Sequence, residues 1–289
     1  MKNKPNLFII GAMKSGTSSL HDYLGKHPQV FMSQFKEPMY FSRGEDERMT
    51  KSEYESLFDK ASDQIYLGES STEYSKLPQR QNSANRIKSY APNAKLIYIM
   101  REPFKRAISH YWHQVKMGRE QRSMKDALTL DSEYLLLSYY AYQLQPYYDL
   151  FGAENIFLCS FETFVKNPDT TLNNICDWLE IDNPTESRSK NASKKNVTPE
   201  VLYLGSDSFI NFIQTPVIRL LKKLIPRSYS FILRSLPKLS KRFVNKNSPI
   251  FKEEILTLYE ELSPTLQKWN RELYELTKSD FAHWKSWQN

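Results

Sequence analysis

The sequence predicts a single α/β domain: a central parallel sheet flanked by helices, with a helical C-terminal segment. Three observations carry this. Short apolar runs at 7–10, 96–100 and 155–159 have the length and content of strands buried on both faces. Each is followed by a stretch of helical spacing, and strands that alternate with helices pair in parallel. The chain has 289 residues, 40% of them hydrophobic and 25% charged, which supplies one sizeable core and is unlike a disordered chain. The expected division within the single domain 1–289 is an α/β core over 6–200 and a helical part over 200–289 that reads as a lid.

The first strand, Leu7-Phe8-Ile9-Ile10, ends at Gly11, and Thr17 or Ser18 is placed to cap a helix that runs to about 26, before Pro28. Helical stretches are expected at 51–60 and 82–90. The strand at 96–100 leads to Pro103, a favoured first helical residue, and a helix to about 117. The tyrosine-rich stretch 132–150 reads as helical and as core and groove lining. The strand at 155–159 is followed by a helix that ends near 179. Residues 183–199 are polar and basic and read as a loop. The segment 213–246 carries many Arg and Lys and no acidic residue, and an amphipathic helix at 251–276 precedes Phe281, Trp284 and Trp287.

The formal net charge of +7 favours anionic partners. The segment 213–246 reads as a lid over a bound molecule or as a peripheral membrane contact. No nucleic-acid-binding motif is present, so no nucleic acid partner is expected. Cys159 and Cys176 make no metal-spaced cluster and read as reduced structural thiols. No run of about 20 apolar residues exists, and the apolar run near the N-terminus is too short for a signal peptide, so a cytoplasmic chain is expected.

The segment Gly11-Ala12-Met13-Lys14-Ser15-Gly16-Thr17-Ser18 lies between a strand and a helix N-terminus, where backbone N–H groups and the helix dipole favour an anion. The loop is P-loop-like but is not a Walker A motif. That motif needs Lys directly after the second glycine, whereas Thr17 stands there and the lysine lies within the loop as Lys14. Arg101 sits at the C-terminal end of a strand, where α/β folds bind ligands, and Ser109 lies two turns along the following helix.

Lys-x-Gly-Thr-[Ser/Thr]-x-Leu at 14–20 resembles the 5′-phosphosulfate loop of the sulfotransferases that use 3′-phosphoadenosine-5′-phosphosulfate (PAPS), and Arg-Glu-Pro-x-x-Arg-x-x-Ser at 101–109 resembles their 3′-phosphate site. The resemblance implies transfer of a sulfuryl group from PAPS to a hydroxyl or amine, without a metal and with adenosine 3′,5′-bisphosphate as the product. It assigns Lys14, Ser15, Gly16, Thr17 and Ser18 to the 5′-phosphate, Arg101 and Ser109 to the 3′-phosphate, and Lys190 and Asn191 to a basic loop over the nucleotide. Lys36-Glu37-Pro38-Met39-Tyr40-Phe41 resembles the segment that carries the proposed base in heparan-sulfate-type and bacterial members, which makes Glu37 the first candidate base. His113 matches a histidine of the N-sulfotransferase version of its helix and is the second, while His110 reads as structural.

Gly68-Glu69-Ser70-Ser71-Thr72-Glu73-Tyr74 resembles a bacterial segment, but Ser70 stands where heparan 3-O-type relatives carry a lysine. That departure tilts the expected acceptor to a small or amphipathic metabolite over a heparan-like glycan. The C-terminal ending at Trp284 also resembles bacterial members. The competing readings are a P-loop nucleotide kinase or NTPase and a carbohydrate sulfotransferase.

Overall fold

The computed structural model describes residues 4–183, 201–204, 242–245 and 249–287. All but the first residue of the expected loop at 183–199, nearly all of 213–246, and the candidates Lys190 and Asn191 lie outside them.

Five strands form an all-parallel sheet: β1 (Leu7–Gly11), β2 (Val30–Met32), β3 (Tyr66–Ser70), β4 (Lys95–Met100) and β5 (Ile156–Ser160). Their order is β2-β3-β1-β4-β5, so the first strand lies at the centre. Successive β1 side chains face opposite sides of the pleat. Phe8 and Ile10 join one core with Tyr98, Tyr140 and Tyr147, and Leu7 and Ile9 join another with Ile97, Ile99 and Leu20. Both faces are covered, which explains why β1 and β4 read as continuous apolar runs. Each such Leu, Ile or Phe contributes about 1.5–3 kcal/mol by leaving water.

The helices are α1 (Thr17–Leu24), α2 (Lys51–Ser56), α3 (Ser83–Tyr90), α4 (Pro103–Lys116), α5 (Met124–Ala127), α6 (Glu133–Leu136), α7 (Tyr140–Phe151), α8 (Phe161–Lys166), α9 (Pro168–Leu179) and α10 (Pro249–Thr277). A separate antiparallel pair joins β6 (Val201–Leu204) with β7 (Arg242–Asn245).

The expected helix over 132–150 is two helices. Between them Ser138 is drawn into a tertiary contact, where its hydroxyl donates to Pro103 O at 2.8 Å and accepts from Arg106 Nε at 2.6 Å. The single helix expected up to 179 is also two, because Asn167 precedes Pro168 and leaves the helical region at φ −137°. The strands β2 and β3 are not apparent as apolar runs. β2 has three residues, and β3 reads Tyr-Leu-Gly-Glu-Ser, with a buried carboxylate where an apolar side chain would signal a strand.

The described part of the C-terminal stretch is built into the domain. Leu258, Leu262 and Leu266 of α10 pack with Trp112 and Leu135, and Leu273, Phe281 and Trp284 join the core that holds Tyr140. Trp284 is buried, stacks on Phe281 and donates from Nε1 to Glu162 Oε2 at 3.0 Å.

Candidate active site

The carboxyl ends of β3, β1 and β4 lie side by side, with Ile9 paired to Ser70 and Gly11 to Tyr98. The loop after β1 is fastened to β4 by Ala12 N–H donating to Ile99 O at 2.7 Å, and it turns through Ser15 N–H donating to Ala12 O at 3.2 Å. Lys14 (φ 70°) and Gly16 (φ 92°) both take the left-handed conformation. At Gly16 a side chain is excluded twice, because the backbone is left-handed and an added Cβ would lie 2.7 Å from the Phe161 ring. Gly16, rather than Thr17 or Ser18, occupies the cap position of α1, and no side chain caps that helix. Its first N–H groups therefore have no intrahelical acceptor and point out of the N-terminus.

Arg101 follows β4 directly. Its guanidinium lies over the Phe161 ring, 5.1 Å from the centroid, so one aromatic side chain supports both Gly16 and Arg101. Glu102 caps α4 by accepting from Lys105 N–H at 2.7 Å, with Pro103 as the first helical residue. This gives the Arg-Glu-Pro order a local reason. Glu162 accepts from Glu102 N–H at 3.1 Å as well as from Trp284, which ties the C-terminal residues to this strand end. The fully buried Arg106 donates to Tyr134 O and reaches Met13 O at 3.5 Å. Burial holds its guanidinium below its ordinary value, and it leaves a cation directly beneath the loop.

Among the described residues, Ser15 Oγ and Arg101 Nε are buried donors without a hydrogen-bond partner, and Glu102 Oε1 is a buried acceptor without one. Buried donors are ordinarily satisfied. A hydroxyl and a guanidinium N–H at adjoining strand ends suit anionic oxygens. Ser109, two turns along α4, is partly exposed.

Glu37 stands over the end of β3. Its N–H donates to Ser70 O at 3.0 Å, and its carboxylate accepts from Thr72 Oγ1 at 3.1 Å and pairs with Lys36 at 3.1 Å. The side chain stays 28% exposed, open to an incoming molecule. Beneath it, Glu69 is fully buried and accepts from Tyr54, Tyr74 and Ser71. Burial pushes the Glu69 carboxyl up to about 7, against these hydrogen bonds and with help from the Glu37 charge.

His110 and His113 lie on α4. His110 is buried and held down to about 2 by that burial and by the nearby Arg106 and Lys76 charges, so it is neutral and structural. His113 is half-buried, and burial followed by the Lys14 charge holds it below its ordinary range. It therefore keeps a free imidazole nitrogen at neutral pH. Lys76 acts on both histidines alongside Lys14, which brings a second lysine to this edge. Sequence reading passed over Lys76, Phe161, Arg106 and Glu69 as functional candidates. Arg106 and Glu69 carry a signal, as the second arginine of one motif and the glutamate of the Gly-Glu segment at 68–74; Lys76 and Phe161 carry none.

Among the described residues, no group of three or more His, Cys, Asp or Glu side chains is gathered as metal ligands would be. In the same residues no helix is long and apolar enough to cross a membrane.

Comparison with known proteins bears on the fold and the family. A sulfotransferase from Alicyclobacillus acidocaldarius shares the fold with TM-score 0.67 over 98% of this chain and 99% of that one, at 23% identity. The membrane-associated sulfotransferase kil1 of Dictyostelium discoideum is 36% identical over 124 residues, 41% of this chain and 25% of that protein. Human carbohydrate sulfotransferase 15 is 28% identical over 167 residues, 43% of this chain and 30% of that protein. Human heparan sulfate glucosamine 3-O-sulfotransferase 3B1 is 28% identical over 188 residues, 62% of this chain and 46% of that protein. The chain thus spans less than half the length of these curated relatives. The sulfotransferase domain family matches residues 4–198, and the chain belongs to that family.

Proposed function

We propose that this chain transfers a sulfuryl group from PAPS to a hydroxyl or amine of a small or amphipathic acceptor. The observation that carries the reading is the pairing of two adjacent strand ends. One holds a left-handed Lys14 inside a loop that opens on a helix N-terminus, and the other holds Arg101 with a buried, unpartnered Nε. When bound, PAPS supplies a sulfuryl group already activated by a 5′-phosphate leaving group.

The loop residues fit that leaving group. The N–H groups of Gly16, Thr17 and Ser18 and the Ser15 hydroxyl would hold the 5′-phosphate, and Lys14 would neutralise the charge that grows on its oxygen. Ser15 N–H is taken by Ala12 O, so its hydroxyl is the free donor. Arg101 and Ser109 would hold the 3′-phosphate. Glu37 takes the acceptor's proton. Its placement over β3, partly exposed and one strand from the loop, supports that role over His113. No step in this reading needs a metal.

Phe35 is 54% exposed two residues before Glu37, and this apolar side chain beside the base supports an amphipathic acceptor. The names of the carbohydrate sulfotransferase relatives support the alternative of a sugar hydroxyl. A kinase or NTPase reading loses support because Lys14 is within the loop and Thr17 follows Gly16. Cys159 and Cys176 are both buried and form no disulfide with each other, which fits a reducing, cytoplasmic setting.

The test is thermal stabilisation by adenosine 3′,5′-bisphosphate without metal, against Mg-ATP and Mg-GTP. A ligand at 100 times its Kd adds about 2.7 kcal/mol. Stabilisation by the bisphosphate alone is expected, followed by label transfer from radiolabelled PAPS to a panel of phenols, long-chain alcohols, sugars and amines. Stabilisation only by Mg-ATP or Mg-GTP would overturn the proposal.

A further inference from the structure

We infer that Glu69, acting through Ser71, is the positioning residue that holds the Glu37 loop in place for proton removal from the acceptor. This rests on the reading of Glu37 as the base. Glu37 (φ 59°) and Met39 (φ 56°) both lie in the left-handed region that residues other than glycine avoid. A loop with two such residues keeps its shape only if its surroundings impose it.

The surroundings are the four residues at the end of β3. Ser70 O accepts from Glu37 N–H at 3.0 Å, Ser71 Oγ accepts from Met39 N–H at 3.0 Å, and Thr72 Oγ1 donates to Glu37 Oε2 at 3.1 Å. Ser71 is the critical link. A serine hydroxyl has one proton and two lone pairs. Here the proton goes to Glu69 Oε2 at 2.8 Å, which leaves a lone pair aimed at Met39 N–H. Glu69 is itself immobile, because its other oxygen accepts from the hydroxyls of Tyr54 and Tyr74, all within the core. Three hydroxyls converge on this carboxyl. Its oxygens orient the Ser71 hydroxyl, the hydroxyl fixes Met39, and Met39 fixes the turn that presents Glu37. Glu69 never meets the acceptor.

A glutamine at 69 turns one of the two acceptor oxygens into a donor. Directed at Ser71, the amide nitrogen cannot accept the Ser71 proton, which is then free to turn toward Met39 N–H, away from the geometry in which the hydroxyl accepts from it. Glu69→Gln and Ser71→Ala are therefore expected to speed backbone amide hydrogen exchange over 33–42 by about 10-fold, the equivalent of one lost hydrogen bond. Stabilisation by adenosine 3′,5′-bisphosphate is expected to stay at the wild-type value. Ser71→Thr, which restores a hydroxyl, keeps the protection. Should Glu69→Gln fail to fold, Ser71→Ala removes only one surface-independent hydroxyl and tests the same link.

On whichever panel acceptor takes label from PAPS, Ser71→Ala lowers kcat on the order of 10²-fold with the KM for PAPS unchanged, and it costs nothing further in a Glu37→Gln background. Wild-type exchange rates over 33–42 in Ser71→Ala, or kcat losses that multiply in the double variant, would overturn the inference. Failure of the parent reading looks different: the wild-type protein is not stabilised by the bisphosphate, or Glu37→Gln turns over normally, whatever the exchange data show.

Discussion

The half of the site built on β1 and β4 and the half that carries Glu37 meet at neighbouring strand ends, but they are held by different means. The first is backbone work: a tight loop, a helix N-terminus, an N-cap glutamate and a first-turn proline, with Phe161 packed beneath. The second is a surface loop with two left-handed residues, held by side-chain hydroxyls over a buried carboxyl. Backbone devices demand particular residue types at fixed spacing, so they leave a motif. Hydroxyl networks demand only that partners meet in space. The first half therefore suits recognition of one constant ligand, while the second can carry a base and adapt to an acceptor.

Variants separate the two halves. The largest effect is expected for Lys14→Ala, which removes the charge at the leaving oxygen and lowers PAPS turnover by at least about 10²–10³-fold; a near-normal rate would end the sulfuryl-transfer reading. Glu37→Gln belongs to the other half, and its kcat is expected to fall about 10²–10⁴-fold while bisphosphate stabilisation persists. An active Glu37→Gln with an inactive His113→Ala would move the base to α4. Arg101→Ala returns to the first half. It is expected to weaken the bisphosphate roughly 10- to 100-fold in calorimetry, through loss of one charged hydrogen-bond partner, with the exchange of residues 33–42 unaltered.

A pH experiment sharpens the contrast. Glu69 is raised from 4.5 to about 7, so the folded protein holds a proton that the unfolded chain releases. The stability this contributes is fully present below pH 4.5 and is lost as pH rises through about 7. Relative to wild type, Glu69→Gln should therefore gain in Tm between pH 4.5 and 7. A difference that is flat across that window would show that the carboxyl is not raised. The smallest effect is expected at Thr50, which caps α2 in a reciprocal pair with Glu53. Thr50→Ala should cost about 1 kcal/mol in chemical denaturation and leave both halves of the site intact.

The sequence showed β1, β4 and β5 because both faces of each are covered, which selects continuous apolar runs. It concealed β3 because Glu69 and Ser70 are buried polar residues whose hydrogen-bond partners come from elsewhere in the chain. Helix breaks at Ser138 and Asn167 were also hidden, the first by a tertiary contact with Arg106 and the second by a pre-proline residue inside an otherwise helical pattern.

By itself, then, the sequence determined the strand–loop–helix opening, the parallel α/β class and the placing of Lys14 and Arg101, since each follows from local backbone preference and spacing. Only the tertiary structure decided which side chains serve them. It placed Phe161 under both Gly16 and Arg101, tied Trp284 to Glu162 across 122 residues, and set Thr72 against Glu37 across 35. A hydrogen bond between distant residues depends on how the sheet and helices pack, and no local pattern in the chain records it.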